Sequence, residues 1–236
     1  VYDTDLMQKG GHIAGWLVDG ELKEQFIKRL QQYEQMMAEK YKDLSEHPMY
    51  YAVGDGNHSL ATAKACYEKL KQNHQWKHVE NHLARYALVE LENLHDDSQQ
   101  FEPIHRVITG TDPQELVEAL KEQCCGQNGQ EIRCYYGNKE EVLHLNLHEH
   151  QLAVDKVQTF LDKYLIENSG VVDYIHGEDV LKKLAKQENA VGIELPAMEK
   201  DQLFPSVMTD GTLPRKTFSM GHASEKRYYI EGRAIK

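Results

Sequence analysis

Between residues 103 and 208 the chain alternates short apolar runs with segments of helical period, each change marked by a turn residue. This alternation restricts the fold most, because it demands a sheet packed against helices. Pro103 to Thr109 reads as a strand. Thr111-Asp112-Pro113 opens a helix, with a capping acid and proline just inside the first turn, and Leu116 to Cys124 continues it. Glu131 to Tyr136 and Val142 to Leu147 flank Gly137-Asn138 as a hairpin. Ala153 to Glu167 is a helix with Val154, Val157, Leu161 and Leu165 inward. Val171 to Ile175 and Ala190 to Leu195 read as strands, Gly177 to Gln187 and Asp201 to Met208 as helices. The class is α+β (mixed α/β), a mixed sheet with interleaved helices.

Upstream, Leu22, Phe26, Leu30, Tyr33, Met37, Tyr41 and Leu44 recur every three or four residues and predict the core face of a long helix. Met49 to Val53 reads as a short buried strand. Ser59 to Lys71 is a helix with Leu60, Ala63, Tyr67 and Leu70 inward, and Cys66 within its core. Arg85 to Leu94 and Lys226 to Ile235 read as further strands. Element order suggests a motif-bearing core over 1–110 and 197–236, with 111–196 as an inserted α/β subdomain. The chain starts at Val1 and motif-like sequence follows at once, which points to an absent N-terminal part.

Net charge is -11. Phosphate neutralisation along a nucleic acid needs a basic face, so a nucleic-acid partner is not expected. No run reaches membrane-spanning length and the start lacks a signal-peptide pattern, so no membrane is expected and the compartment is read as cytoplasmic. Cys66, Cys124, Cys125 and Cys134 form no Cys-x-x-Cys pair and read as reduced thiols, the vicinal pair as helix-end packing.

The chemistry concentrates at Gly54-Asp55-Gly56-Asn57-His58-Ser59, where an apolar run gives way to a helix. A helix start presents unpaired N–H groups, and glycines let an anion approach them. Gly54, Gly56 and Asn57 fit a phosphate-holding turn, and Ser59 could cap the helix or touch a phosphate oxygen. Asp55 repels bare phosphate, but suits a bridging Mg²⁺ or the role of base toward a substrate hydroxyl. His58 could donate or act as base. The same residues also make an ordinary turn in which Asp55 and Asn57 bond nearby backbone. It is neither a Walker A loop nor a Rossmann fingerprint. Away from this turn, His105-Arg106 and the Arg215-Lys216-Thr217 group offer cations and a hydroxyl for phosphate, or plain salt bridges and a solvated turn. His12, after two glycines, could edge a cleft. A zinc site could draw on His12, His58 and His105, but no two of these three have ligand spacing such as His-x₃-His, so no zinc is expected.

Residues 54–63, with "LMQKGGHIAGW" (6–16), "PIHRVI" (103–108) and "LPRKTFSMG" (213–221), closely resemble a family of bacterial and archaeal proteins. That family is catalogued as a domain of unknown function, with an Ala-Asp-Gly-His-His-Arg hallmark. The hallmark is similar, more distantly, to that of the ParB/sulfiredoxin-like superfamily, whose members bind nucleotides at such a turn and include free-serine kinases. Asp55, Gly56 and His58 match it; Asn57 replaces the first His and Ser59 the Arg. The resemblance implies a nucleotide- or phosphometabolite-binding enzyme, with a small-molecule kinase as one form of it, using Mg and a nucleotide. The other class left open is a non-catalytic domain that binds a nucleotide or partner. An anion site predicts that Asp55, His58, Arg106 and Lys216 share a cleft, with His12 at its edge.

Overall fold

The structure, a computed structural model, describes residues 1–8, 10–73, 78–220 and 230–235. The chain divides into two compact units. The first comprises Val1–Glu34, Met49–Leu94 and Glu225–Lys236, the second Gln35–Pro48 and His95–Ser224. The class is α+β. No helix among the described residues is long and apolar enough to cross a membrane.

The second unit holds the core. Its strands are β3 (Phe101–Thr109), β4 (Cys125–Tyr136), β5 (Lys139–Leu145), β6 (Val171–His176), β7 (Ala190–Glu194) and β8 (Phe218–Met220). The sheet runs β5-β4-β7-β3-β6, with β8 pairing the start of β3, and each of these pairings is antiparallel. β3 therefore shares its sheet with strands drawn from 125–194. Gly137-Asn138 closes the predicted hairpin, with Tyr136 opposite Lys139; Gly137 supplies the positive φ of 56° that a two-residue turn needs.

Helices α3 (Pro113–Cys124), α4 (Ala153–Glu167), α5 (Glu178–Leu184) and α6 (Leu203–Asp210) complete this unit. Asp112 caps α3 by accepting from the N–H groups of Gln114 and Glu115, with Pro113 in the first turn. Cys124 ends α3 buried, as helix-end packing requires. α4 has the predicted bounds, and Val154, Val157 and Leu161 are buried, Leu165 half-buried. Ile104 to Ile108 of β3 are buried without a break, because the strand is central and covered on both faces. Side chains alternate along it, so His105 and Val107 share one face, Ile104, Arg106 and Ile108 the other. On the first face Val107 packs with Tyr135, Leu181 and Ala185, which brings α5 onto the sheet.

The first unit contains the hairpin β1 (Tyr2–Asp5) and β2 (His12–Gly15), most of α1 (Gly20–Lys40), α2 (Asn57–Gln72) and two short 3₁₀ turns. Among its described residues none is fully buried. This corrects several expectations. Leu22 and Phe26 of α1 are exposed; the predicted stripe buries only Met37 and, just beyond the helix, Tyr41, both in the second unit. Met49 to Val53 is not a strand and is not buried, for Tyr51 and Val53 face outward. Residues 86–93 form no helix or strand and Leu94 begins a turn, where a strand was predicted from Arg85 to Leu94. Ala63 and Cys66 lie on the exposed side of α2. An apolar run supplies strand propensity, yet a strand also needs a neighbour to receive its backbone bonds. Of the predicted C-terminal strand, 226–229 lies outside the described residues, and 230–235 is not a strand.

Candidate functional site

The glycine turn occurs where the sequence placed it. Gly54 and Asp55 lead into Gly56, which adopts φ 74° and ψ 14° immediately before α2. That left-handed conformation favours glycine, and a Cβ built there would meet nothing within 4 Å, so the space beside the turn is open. Asp55 Oδ1 accepts the Gly56 N–H at 2.8 Å. This bond fixes the turn and leaves the second carboxylate oxygen unclaimed by it. The first bond into the helix is Leu60 N–H to Gly56 carbonyl at 2.9 Å. Among the described residues no side chain caps α2. The N–H groups of Asn57, His58 and Ser59 therefore start the helix without a side-chain acceptor. All three residues and Asp55 are exposed. Thr62 donates its hydroxyl hydrogen bond to the His58 carbonyl, holding the first turn of α2 from within.

The structure joins two of the four sequence motifs in the second unit. Arg106 is 0 % exposed. Its Nε donates to Gln158 Oε1 at 3.0 Å, its Nη1 to the Ile104 carbonyl at 2.6 Å and the Lys216 carbonyl at 2.9 Å, and its Nη2 to the Arg215 carbonyl at 3.4 Å. The guanidinium carbon also lies 4.8 Å from the Tyr174 ring centroid, across the β3–β6 register. Burial brings the guanidinium down to about 10, so it keeps its charge at neutral pH. No carboxylate touches it directly in these contacts. Instead Gln158 relays, its Nε2 donating to Asp162 Oδ1 at 2.8 Å.

Arg106 thus ties the 214–217 loop to the sheet through backbone carbonyls. Lys216 adopts φ 58°, unusual for a residue with a side chain, and the Thr217 hydroxyl donates to the Pro214 carbonyl at 2.6 Å. Thr217 is buried, while the side chains of Arg215 and Lys216 point outward, exposed. Phe218 stacks on Phe101 at 4.2 Å and anchors the loop's far end. The guanidinium predicted to meet phosphate is therefore enclosed, and the two exposed cations are the ones it positions. Gln158 was missed. Its only sequence signal is a polar residue within the inward stripe of α4, between Val157 and Leu161.

His105 is also buried, and its Nδ1 accepts the Leu195 N–H at 3.1 Å. That bond needs Nδ1 unprotonated, so the ring is neutral. Burial lowers its proton affinity; Glu194 and Glu178 oppose this, and Arg106 and His176 add to it. The ring is depressed below its value of about 6.5 in the unfolded chain. Its stabilising contribution is thus present above that value and lost as pH falls through the folded one. Urea unfolding at pH 7.5 and 5.5 should show a loss of stability on acidification. His105→Asn, which keeps an acceptor for Leu195 but does not titrate, should show a smaller loss; an equal loss would remove His105 from the account.

His12 lies on the β1–β2 hairpin, exposed, with Nε2 2.9 Å from Asp3 Oδ1 and Nδ1 2.8 Å from Asp5 Oδ1. Asp55, His58 and His12 belong to the first unit, the Arg106 network to the second. Lys9, inside one motif, and Gly221, at the end of another, lie outside the described residues. Among the described residues no three His, Cys, Asp or Glu side chains come together as metal ligands.

A family model described as "Protein of unknown function (DUF1015)" matches residues 1–164. No curated protein and no solved structure matches.

Proposed function

The chain belongs to the DUF1015 family of proteins of unknown function, so its activity has to be argued from its own residues, and we propose that it binds a phosphate-bearing small molecule, a nucleotide first among them, at the start of α2. The observation that carries this is the uncapped helix start behind a left-handed glycine with open space beside it. Unpaired N–H groups and the helix dipole favour an anion there. The Ser59 hydroxyl and the His58 ring supply further donors. Asp55, already bonded to the turn, has one carboxylate oxygen left to hold a Mg²⁺ that bridges phosphate oxygens.

The catalytic form of this reading is a small-molecule kinase in which Asp55 takes the proton of an attacking hydroxyl. Phosphoryl transfer also requires cations around the moving group. Ser59 replaces the hallmark arginine, and Arg106 is enclosed by protein acceptors. These two facts favour binding as the conclusion and make kinase chemistry its more specific version. Arg215 and Lys216 offer a separate anion contact in the second unit.

Thermal unfolding of the chain with ATP, with and without Mg²⁺, tests the proposal. A ligand at a hundred times its dissociation constant stabilises by about 2.7 kcal/mol. The melting temperature should rise with ATP, and rise further with Mg²⁺. Asp55→Ala should abolish the Mg²⁺-dependent increment. An unchanged melting temperature in both conditions would reject nucleotide binding.

A further inference from the structure

The second unit carries a polar cleft of about 430 Å³ that neither motif uses. Cys125 and Gln130 of β4 both stand opposite Leu145 of β5, so the four residues between them bow out of the ladder. The bow depends on Gly129: a Cβ there would lie 1.6 Å from the Leu145 carbonyl oxygen. It forms one wall of the cleft, and Leu145 to His148, Gln151 and Gln202 form the rest.

Much of the lining is already satisfied. Gln151 Oε1 accepts from His148 N–H at 3.4 Å, and Gln202 Oε1 accepts from Glu199 N–H at 2.9 Å. His148 faces acceptors on both sides, Glu149 carbonyl at 2.9 Å from Nδ1 and Asp210 Oδ1 at 3.2 Å from Nε2. The one ionisable side chain in the lining is therefore matched by a carboxylate. What remains is the amides of Gln127, Gln130 and Asn146, each exposed and each offering a donor beside an acceptor. Among the described residues lining the cleft, an anion finds no spare cation and a cation no spare carboxylate. The volume lies within the range of small-molecule sites, about 300–1,000 Å³.

We propose that this cleft binds a neutral ligand carrying adjacent hydrogen-bond donors and acceptors, the pattern shared by sugar hydroxyl pairs and by the edge of a nucleobase. The site is independent of the α2 start and concerns a different unit of the chain.

Side-chain amide NMR of the chain tests it with three probes: D-glucose, adenosine and inorganic phosphate. Glucose or adenosine should shift the NH₂ signals of Gln127, Gln130 and Asn146, and leave the backbone amides of Asn57 to Ser59 in place. A response to glucose assigns the sugar pattern. A response to adenosine without glucose assigns the base edge. Asn146→Ala, a change at an exposed position, should weaken the responding probe by about threefold to tenfold, the size of one neutral hydrogen bond. The proposal is overturned if neither neutral probe shifts these signals, if phosphate shifts them as strongly, or if Asn146→Ala leaves the affinity unchanged.

Discussion

Arg106→Ala should destabilise the second unit by about 3–5 kcal/mol, the range found when a buried charged network loses one partner. The guanidinium serves the Ile104, Arg215 and Lys216 carbonyls and Gln158 at once. Its removal leaves the buried Ile104 carbonyl and Gln158 Oε1 and the part-buried Arg215 and Lys216 carbonyls without this donor, and opens a cavity against Tyr174. The loop should suffer most, because Arg106 bonds the carbonyl of Lys216, a residue at φ 58°. Arg106→Lys should recover only part of the loss, since an ammonium cannot span the same fork of acceptors. Urea unfolding measures both variants. A cost below about 1 kcal/mol, the worth of one ordinary hydrogen bond, would mean that the 214–217 loop does not depend on Arg106.

Leu181→Ala should cost about 2–5 kcal/mol, the usual range for a buried leucine truncated to alanine. Leu181 is 0 % exposed and sits between Val107, Tyr135 and Ala185, where α5 meets the sheet. The site has little room to collapse. Gly192 of β7 lies so close that a Cβ on it would come 3.0 Å from Leu181 Cγ and 3.0 Å from Ala185 Cβ. Gly192→Ala should therefore destabilise by about 1–3 kcal/mol through overpacking. The same change made in the Leu181→Ala background should cost less, because one of the two crowding side chains is gone. Additive costs would show that the two positions do not share the packing described.

The parts legible in the sequence are those whose causes are local. The Asp112-Pro113 helix start, the Gly137-Asn138 turn and the stripe of α4 each carry their own cap, turn residue or period. The glycine turn at 54–56 belongs to this class, and so does the start of α2. The misread parts depend on distant partners. Residues 49–53 and 85–94 have strand-like composition, but nothing within the segment says whether a neighbouring strand exists. The exposed half of α1 has a good apolar stripe and lacks a cover among the described residues. Arg106 shows the same limit within the candidate site. Its charge was visible, but its enclosure follows from Gln158, 52 residues on, and from a loop 109 and 110 residues on. No local pattern reports such separations.

The central claim is that the first N–H groups of α2 receive a phosphate. Backbone amide NMR of the chain during titration with ATP, with and without Mg²⁺, tests this at the atoms concerned. The amides of Asn57, His58 and Ser59 should shift most among the residues of α2, moving together along one binding curve. Asp55→Ala should alter that curve only when Mg²⁺ is present. Shifts that leave these three amides in place, at ATP concentrations that saturate any response elsewhere, would contradict it, and the turn would stand as a corner that begins a helix.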